Sequence, residues 1–366
     1  MSLRNVQIIP GFNKADTPSG AEGQWIDGDF VRFRYGQPEK IGGFTAIGQE
    51  TIAGPTRAQH TWNDLEGRRY AALGTSKALY IYYEDQFYDI TPLETAITSA
   101  TFTSTSSSST VTVNKTSHGL DVGEYITFTS VTIPGSSSFV DTDFTSFTFE
   151  VLTVPDADSF TIEMQTTETG TPMSSTGSAS INPYVEIGPT IQTYGYGWGT
   201  DTWSSGKWGE GSLASTVILD PGSWSLDNFG EQLIATIKDG KTFTWNPGVS
   251  NPLDQRATIM ASAPTASRLT ITSDRDRHVV HFGTETTIGD PTTQDPMFIR
   301  FSDQENYNIY EPTSVNTAGT FRLDTGNRIV AAVSGKDYNL ILTDQAAYTM
   351  QFVGPPFTFS IRQDGS

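Results

Sequence analysis

No window of this chain holds apolar residues at i, i+3, i+4 and i+7 for ten residues without a Gly, a Pro or a β-branched residue breaking the stripe. Amphipathic helices are therefore not available as building blocks. The chain must bury its apolar side chains on strands, where successive residues face opposite ways. Short apolar runs punctuated by turn residues recur along it. In YAALGTSKALYIYYEDQFYDITP, Tyr70 to Pro92, the runs YAAL, ALYIYY and FYDI are separated by GTS and EDQ turns. The same order returns in EQLIATIKDGKTFTWNPG, Glu231 to Gly248, where LIATI and TFTW flank KDGK. It returns in HVVHFGTE followed by MFIRFSDQENYNIYEP, and again in IVAAVSGKDYNLILTDQAAYTMQFVGPP.

With the first turn of each unit as a marker (Gly240, Gly283, Gly335), the steps are 43 and 52 residues, matching the roughly 40–50 residues of a propeller blade. A blade is a small twisted sheet that cannot bury both faces alone, so blades stack around an axis and cover one another. The predicted fold is all-β: a β-propeller or propeller-like ring of antiparallel blades, with a β-sandwich or an irregular chain of hairpins as the competing architecture. From Gly74 to Gly240 the step is 166 residues, too long for one blade. Between them the chain turns Ser/Thr-rich, and TVTV, YITFTSV, FTFEVLTV and SFTIEM alternate as strands around turns at HGLDVG, IPGSSS and VPDADS. This predicts an inserted small β-sandwich or barrel of four to six strands, tethered by flexible STSSSS and TTETGTPMSSTGSAS linkers. The expected division is 1–92 and 183–366 for the two parts of the propeller and 93–182 for the insert.

The stretch YGYGWGTDTWSSGKWGEG sets Trp198, Trp203 and Trp208 five residues apart among glycines, with Tyr194 and Tyr196 just before. Neither a helical nor a strand period explains that spacing, so it is one of turns. Ordering the glycines is entropically expensive, and burial of the indoles must compensate. The rings have three possible destinations: the end of the propeller itself, a partner subunit, or a sugar ring. These five residues are the candidate subunit interface or ligand contact.

Chemistry is sparse. With no cysteine, disulfides, thiolate nucleophiles and thiolate-bound zinc are excluded. Four histidines remain: His60 and His118, the latter a turn residue, and His278 and His281, which are i, i+3 on a strand and so point to opposite faces, wrong for one metal. The Asp-rich turns, with Asp274 and Asp276 among them, lack calcium-loop spacing. No nucleophile-elbow, zinc-protease, Walker or dinucleotide fingerprint is present. The hairpin IKDGKTFTW resembles the Asp-box turn of sialidases, and Arg268, Arg275 and Arg277 are available for a substrate carboxylate. That turn is a structural decoration, so a glycosidase is the third choice behind a glycan- or receptor-binding protein. The expectation is no enzyme, no cofactor and no metal. A net charge of −19 disfavours gripping nucleic-acid phosphates while suiting a passage through which DNA slides. No run is long and apolar enough to span a membrane, and the start MSLRNVQIIPGFN lacks a signal-peptide core. The expectation is a soluble chain made in the host cytoplasm.

Several segments together resemble a known group. GQWIDGDFVRFRYGQPEKIGGF, ALGTSKALYIYYEDQFYDITP, GYGWGTDTWSSGKWG leading into SWSLDNFGEQLIA, and FIRFSDQENYNIYEPTSVNTAGTFRL resemble tail hub or nozzle proteins of short-tailed bacteriophages, the group of tail tubular protein B and the packaged-DNA stabilisation proteins. SHGLDVGEYITFT with FEVLTVPDADSFTIEM is similar to small β modules of phage tails. The resemblance implies a virion tail protein, six copies of which form a ring below a tail adaptor, contact fibres, close the channel around double-stranded DNA and open for ejection. It brings no catalytic residue. Members of the group continue beyond the strand at FTFSIRQDGS, a departure that leaves three alternatives: a piece of a longer protein, a blade completed by the N-terminal strand VQIIP, or a blade completed by another chain.

Overall fold

Runs of alternating apolar residues become strands and turn signals become reversals, giving an all-β protein, with FTFEVLTV divided between two strands, Phe149–Glu150 and Thr153–Asp156. The computed structural model describes residues 9–43, 45, 51–190, 220–273, 275–355 and 357–365. Trp198, Trp203, Trp208, Tyr194, Tyr196 and Asp274 lie outside the described residues. The chain divides into two units, Met1–Gln49 and Glu50–Ser366.

In the first unit, β1 (Ile9–Phe12) pairs in parallel with β2 (Gln24–Trp25), and β3 (Val31–Arg34) forms a hairpin with β4 (Gln37–Lys40). Tyr35 and Gly36 both have positive φ, 51° and 78°, the conformation a two-residue hairpin turn requires to match strand twist. Phe12 and Phe33 meet edge to face, with ring centroids 5.2 Å apart.

In the second unit, four four-stranded antiparallel sheets follow one another, each with its strands in sequence order. Blade 1 is β5 (Thr56–Asn63), β6 (Arg69–Thr75), β7 (Leu79–Tyr83) and β8 (Gln86–Asp89). The insert then supplies β9 (Ile97–Ser104), β10 (Thr110–Asn114), β11 (Tyr125–Thr132), a short helix α1 (Asp141–Thr145), β12 (Phe149–Glu150), β13 (Thr153–Asp156), β14 (Ser159–Glu163) and β15 (Thr176–Pro183). Blade 2 is β16 (Trp224–Phe229), β17 (Gln232–Ile237), β18 (Thr242–Trp245) and β19 (Thr258–Ile259). Blade 3 is β20 (Leu269–Ser273), β21 (His278–Phe282), β22 (Phe298–Phe301) and β23 (Gly319–Arg322). Blade 4 is β24 (Ile329–Ser334), β25 (Asn339–Thr343), β26 (Ala347–Gly354) and β27 (Thr358–Gly365).

The insert is a single curled sheet of seven strands in the order β12-β11-β15-β9-β10-β14-β13, a half-barrel filled by Phe102, Phe128, Phe144, Phe149 and Phe160. Two expectations are corrected here. There are seven strands rather than four to six, and TTETGTPMSSTGSAS is not a flexible linker. Its second half begins β15, which sits between β11 and β9 with Ala179 and Ile181 buried, and its first half buries Glu168 and Met173. Serine and threonine compose both linkers and half-buried strands, so composition alone does not separate the two.

The blades stack through their faces because alternate residues of each strand serve opposite neighbours. Leu233 and Ala235 of β17 join Tyr70, Ala72 and Ile81 of blade 1 in one core. Ile234, one residue on, packs with Val279 of blade 3. Val280 in turn packs with Ile341 and Met350 of blade 4. The first strands of successive blades lie against one another, β5 on β16, β16 on β20 and β20 on β24. The seams also carry polar ties: between blades 1 and 2, Trp62 Nε1 donates to the Glu231 carbonyl at 2.9 Å and Trp224 Nε1 to the Thr75 carbonyl at 3.1 Å; between blades 2 and 3, Ser225 Oγ donates to the Thr270 carbonyl at 2.8 Å; and Thr358 Oγ1 of blade 4 donates to the Thr317 carbonyl, just before the last strand of blade 3, at 3.1 Å.

The repeat markers need one revision. Gly240 and Gly283 sit between the second and third strands of their blades, but Gly335 sits between the first and second of blade 4. The first strands β5, β16 and β20 lie against one another and have no counterpart in the repeat pattern of the sequence. They carry His, Asn, Asp and Ser residues that pair across seams, and so lack a clean apolar alternation.

Gly74 shows how tightly the first seam closes. A Cβ there would stand 2.6 Å from Cδ1 of Trp224 and 2.7 Å from its Cβ. Gly74→Val should therefore destabilise the chain by about 1–3 kcal/mol through overpacking, read as a lower urea midpoint. An unchanged midpoint would show that the seam is not close-packed.

Candidate functional site

The strand starts at one end of the blade stack converge on a cavity of about 490 Å³. Ser223, Trp224 and Ser225 enter from blade 2, Arg268 and Leu269 from blade 3, and Arg328 with Val330 to Ala332 from blade 4. Its polar centre is Asp220, 2.9 Å from Lys238 Nζ and 3.1 Å from Arg268 Nη2. Lys238 above all, then Arg268, holds the Asp220 carboxyl below the ordinary carboxylate range against the opposing effect of burial. Arg268 also lies 3.7 Å from Asp239. Arg328, exposed at the rim, makes no side-chain hydrogen bond or ion pair among the described residues. The cleft is a charged recess on the axis side of three blades, with its two innermost cations already neutralised by carboxylates.

Beside it, the two described flanks of the Trp-Gly segment meet. The Gly222 amide donates to the Pro189 carbonyl at 2.9 Å, and the Arg57 guanidinium donates to the carbonyls of both Thr190 and Gly222. A side chain at Gly222 would run into the Ile187 carbonyl, its Cβ only 2.2 Å from that oxygen. The described residues on either side of 191–219 thus meet at one pinned point, at the junction of blades 1 and 2.

A second constellation fixes the insert to the blades. Tyr184, at the return from β15, donates to Asp89 at the end of β8, and Arg256 of blade 2 reaches both: 3.2 Å to Asp89 Oδ2, 3.2 Å to the Tyr184 hydroxyl and 2.8 Å to the Thr91 carbonyl. Its guanidinium stacks 4.9 Å from the Tyr184 ring centroid. Burial first, and the adjacent Asp89 second, push the Tyr184 hydroxyl far above the ordinary phenol range, so it stays a donor. The entry and exit of the insert are held together by the Glu94 amide donating to Pro183 and the Val185 amide donating to Pro92. None of Asp89, Tyr184 or Arg256 was singled out in the sequence. Asp89 and Tyr184 flank the insert in DITP and NPYV, and their meeting follows only from the insert returning to its starting point.

Inside the insert, Glu168 is fully buried with no cation. It accepts hydrogen bonds from Ser104 Oγ at 3.1 Å, Ser137 Oγ at 2.6 Å, Ser138 N and Oγ at 2.8 and 2.7 Å, and Gly170 N at 2.9 Å. Burial alone would raise its pKa; the Ser137 hydroxyl and the Ser138 and Gly170 donors outweigh it and hold the carboxyl at about 2 against an ordinary 4.5.

The histidines are structural. His60 pairs with Asn228 Oδ1 at 2.8 Å across the first seam. The His118 ring accepts from the Leu120 amide at 3.0 Å within its turn. His278 and His281 point to opposite faces of β21, and both are buried because each face of blade 3 is covered. His281 meets Ser267 and Thr270 through Nδ1, at 3.0 and 3.1 Å, and the Tyr310 hydroxyl through Nε2 at 3.2 Å. Burial first, and Arg300 second, depress its pKa to about 3, leaving it neutral. Arg268 serves Asp220, while Arg275 and Arg277 are paired to Asp337 and Glu305. The three arginines open to different partners and do not converge. Among the described residues no group of three His, Asp or Glu could hold a metal, and no helix is long and apolar enough to cross a membrane.

No family model matches the chain, and no curated protein matches it. A solved structure to which it is similar is the phage phi92 endosialidase, at 14% identity and a TM-score of 0.24, over 86% of this chain and 44% of that one. The chain thus spans less than half the length of that protein.

Two outcomes follow. Glu168 has a depressed folded pKa, so its stabilising effect is present above pH 4.5 and lost as pH falls from about 4.5 to about 2. Thermal melts should show that loss for the native chain and a flatter acid profile for Glu168→Gln; parallel profiles would contradict the assignment. Arg256→Ala leaves Asp89 and Tyr184 facing each other without the guanidinium, and should weaken the mount by about 1–3 kcal/mol. Hydrogen exchange should then rise at residues 90–94 and 183–187 while the blade cores stay protected. Protection unchanged at both junction strands would show that Arg256 does not hold the insert.

Proposed function

We propose that the chain is a structural component of the tail of a short-tailed bacteriophage, a nozzle or hub subunit that works by assembly and gating rather than by turnover. The observation that carries this reading is that polar side chains are spent on holding one sheet against the next: His60 on Asn228, Thr236 on Thr270, and Arg256 on Asp89 and Tyr184. The segments that resemble tail hub proteins supply the rest. One of them forms the β3–β4 hairpin, and others form blade 1 and the start of blade 2. In this reading six copies ring the DNA channel below an adaptor and contact fibres, the packaged DNA is retained until ejection, and a net charge of −19 keeps the phosphates from sticking.

The second reading is a glycan- or receptor-binding protein. It is favoured by a groove of about 610 Å³ on blade 1, where Tyr82 and Tyr83 stand beside Asn63 and Arg69. Aromatic faces next to planar polar groups suit a pyranose ring.

Immunogold labelling of a lysate of the source separates the two. The tail reading predicts label at the single tailed vertex of capsids. Particles bare of label, with Tyr82-dependent retention of the chain on a glycan array, would replace it by the second reading.

A further inference from the structure

Both faces of β21 carry a wholly buried histidine, and each of the two rings faces a seam. His278 shares its face with Val280, which packs on blade 4. Its ring lies among Phe301 of blade 3 and Phe352 and Phe359 of blade 4, with centroids 6.1, 5.8 and 5.1 Å away. Nδ1 stands 2.7 Å from the Ser302 carbonyl. A carbonyl only accepts, so Nδ1 carries the proton and Nε2 keeps its lone pair. That Nε2 is buried without a hydrogen-bond partner. His281 faces blade 2. Its Nδ1 lies 3.1 Å from Thr270 Oγ1, to which Thr236 of blade 2 also donates, and its ring meets Tyr310, packed with Phe229 and Ile234 of blade 2.

We propose that blade 3 is an acid-released latch: as pH falls, protonation of His278 and His281 frees it from blades 4 and 2, while the seam between blades 1 and 2 and the insert hold. The first seam is built differently. Its His60 is half-buried, with Nε2 3.8 Å from Asp227 Oδ1, so a proton there meets a carboxylate. Among the described residues no carboxylate pairs with His278 or His281. The acids near His278 are engaged elsewhere: Asp276 of the preceding turn by Ser273, Asp303 after β22 by Thr317, and Glu305 by Arg277. Arg275 on that turn pairs with Asp337, and β26 and β27 turn only Phe352 and Phe359 to the ring. Near His281 the charged neighbour is Arg300 of β22, a cation, and the buried Glu285 is taken up by Thr265 and Gly289. A second proton on either ring therefore buries a charge that nothing offsets.

Burial holds both imidazoles below the ordinary 6.5, in His278 against the opposing pull of the Ser302 carbonyl and the three acids, and in His281 with the help of Arg300. A histidine whose pKa is lowered on folding stabilises the fold above its unfolded value. The contribution is complete above pH 6.5 and is lost as pH falls below it, the opening equilibrium rising by up to about tenfold per pH unit and per ring. Glu168 acts only below pH 4.5, so between those two values the insert is an internal reference.

The latch belongs to the fold and not to the tail reading, so its test needs only the full-length chain. Hydrogen exchange is measured at about pH 7.5 and about pH 5.5 and corrected for the intrinsic pH dependence of amide exchange. The expected result is protection reduced at least about fivefold in the strands of blades 3 and 4, with β6 and β7 of blade 1 and β10 and β14 of the insert changed less than about twofold. An equal loss in every blade and in the insert, or no loss in blade 3, overturns the proposal. His278→Asn keeps a side-chain N–H for the Ser302 carbonyl and cannot take up a proton. It should retain the protection of blade 4 at about pH 5.5; a loss as large as in the native chain removes His278 from the latch. Nitrogen NMR of the histidine rings needs no variant. The native, folded chain should show His278 and His281 still neutral at about pH 5.5, with the His278 proton on Nδ1, and charged rings in a folded chain would refute the latch.

Discussion

The structure depends on face-to-face packing between consecutive small sheets. A four-stranded sheet of about twenty residues has too little interior to be stable alone, so each blade is folded only to the extent that its neighbours cover it. The seam between blades 1 and 2 shows what that requires. Trp224 closes against Gly74, Trp62 and Tyr70 crowd Trp245 at 6.3 and 5.5 Å, and each of these buried indole nitrogens finds a carbonyl. Aromatic rings supply large buried area with few rotors to freeze, which suits a chain low in aliphatic residues and rich in glycine.

Dependence on neighbours explains why polar chemistry in this molecule is mostly structural. Inner strands crowd together near the axis, where backbone alternation alone cannot satisfy every group, and side chains finish the work. Thr236 reaches Thr270 at 2.8 Å, Thr270 reaches His281, and the Thr272 amide donates to Asp227 at 2.6 Å. The same logic governs the insert, whose mount is an arginine shared between a carboxylate and a phenol, and whose buried Glu168 replaces a cation with five hydrogen-bond donors. Buried polar groups engaged in this way fix the position of one element on another.

Much of this was legible in the sequence. The runs around GTS and EDQ gave β6, β7 and β8, and TVTV and SFTIEM gave β10 and β14, because alternation and turn residues act locally. The innermost strands were harder, since RAQHTW and SWSLDN pair their polar residues with other blades and carry no local signature of it. β15 was hidden for a related reason: in TGSASINP only Ala179 and Ile181 mark the buried face before the strand ends. Of the candidate site, the histidine pair on opposite strand faces was readable from period two. The Asp89, Tyr184 and Arg256 cluster was not, because the residues lie 95 and 72 positions apart and meet only through topology. The aromatic candidates between Tyr194 and Trp208 lie outside the described residues, and the structure adds the location of their stem, pinned by Arg57 beside the axial cleft.

The central claim is that each blade is folded only to the extent that its neighbours cover it. Native-state hydrogen exchange of a Trp224→Ala chain tests this most directly, because Trp224 closes the seam over Gly74. The account predicts faster exchange in β6 of blade 1 as well as in β17 of blade 2. Exchange raised in β17 alone, with β6 as protected as in the native chain, would contradict it.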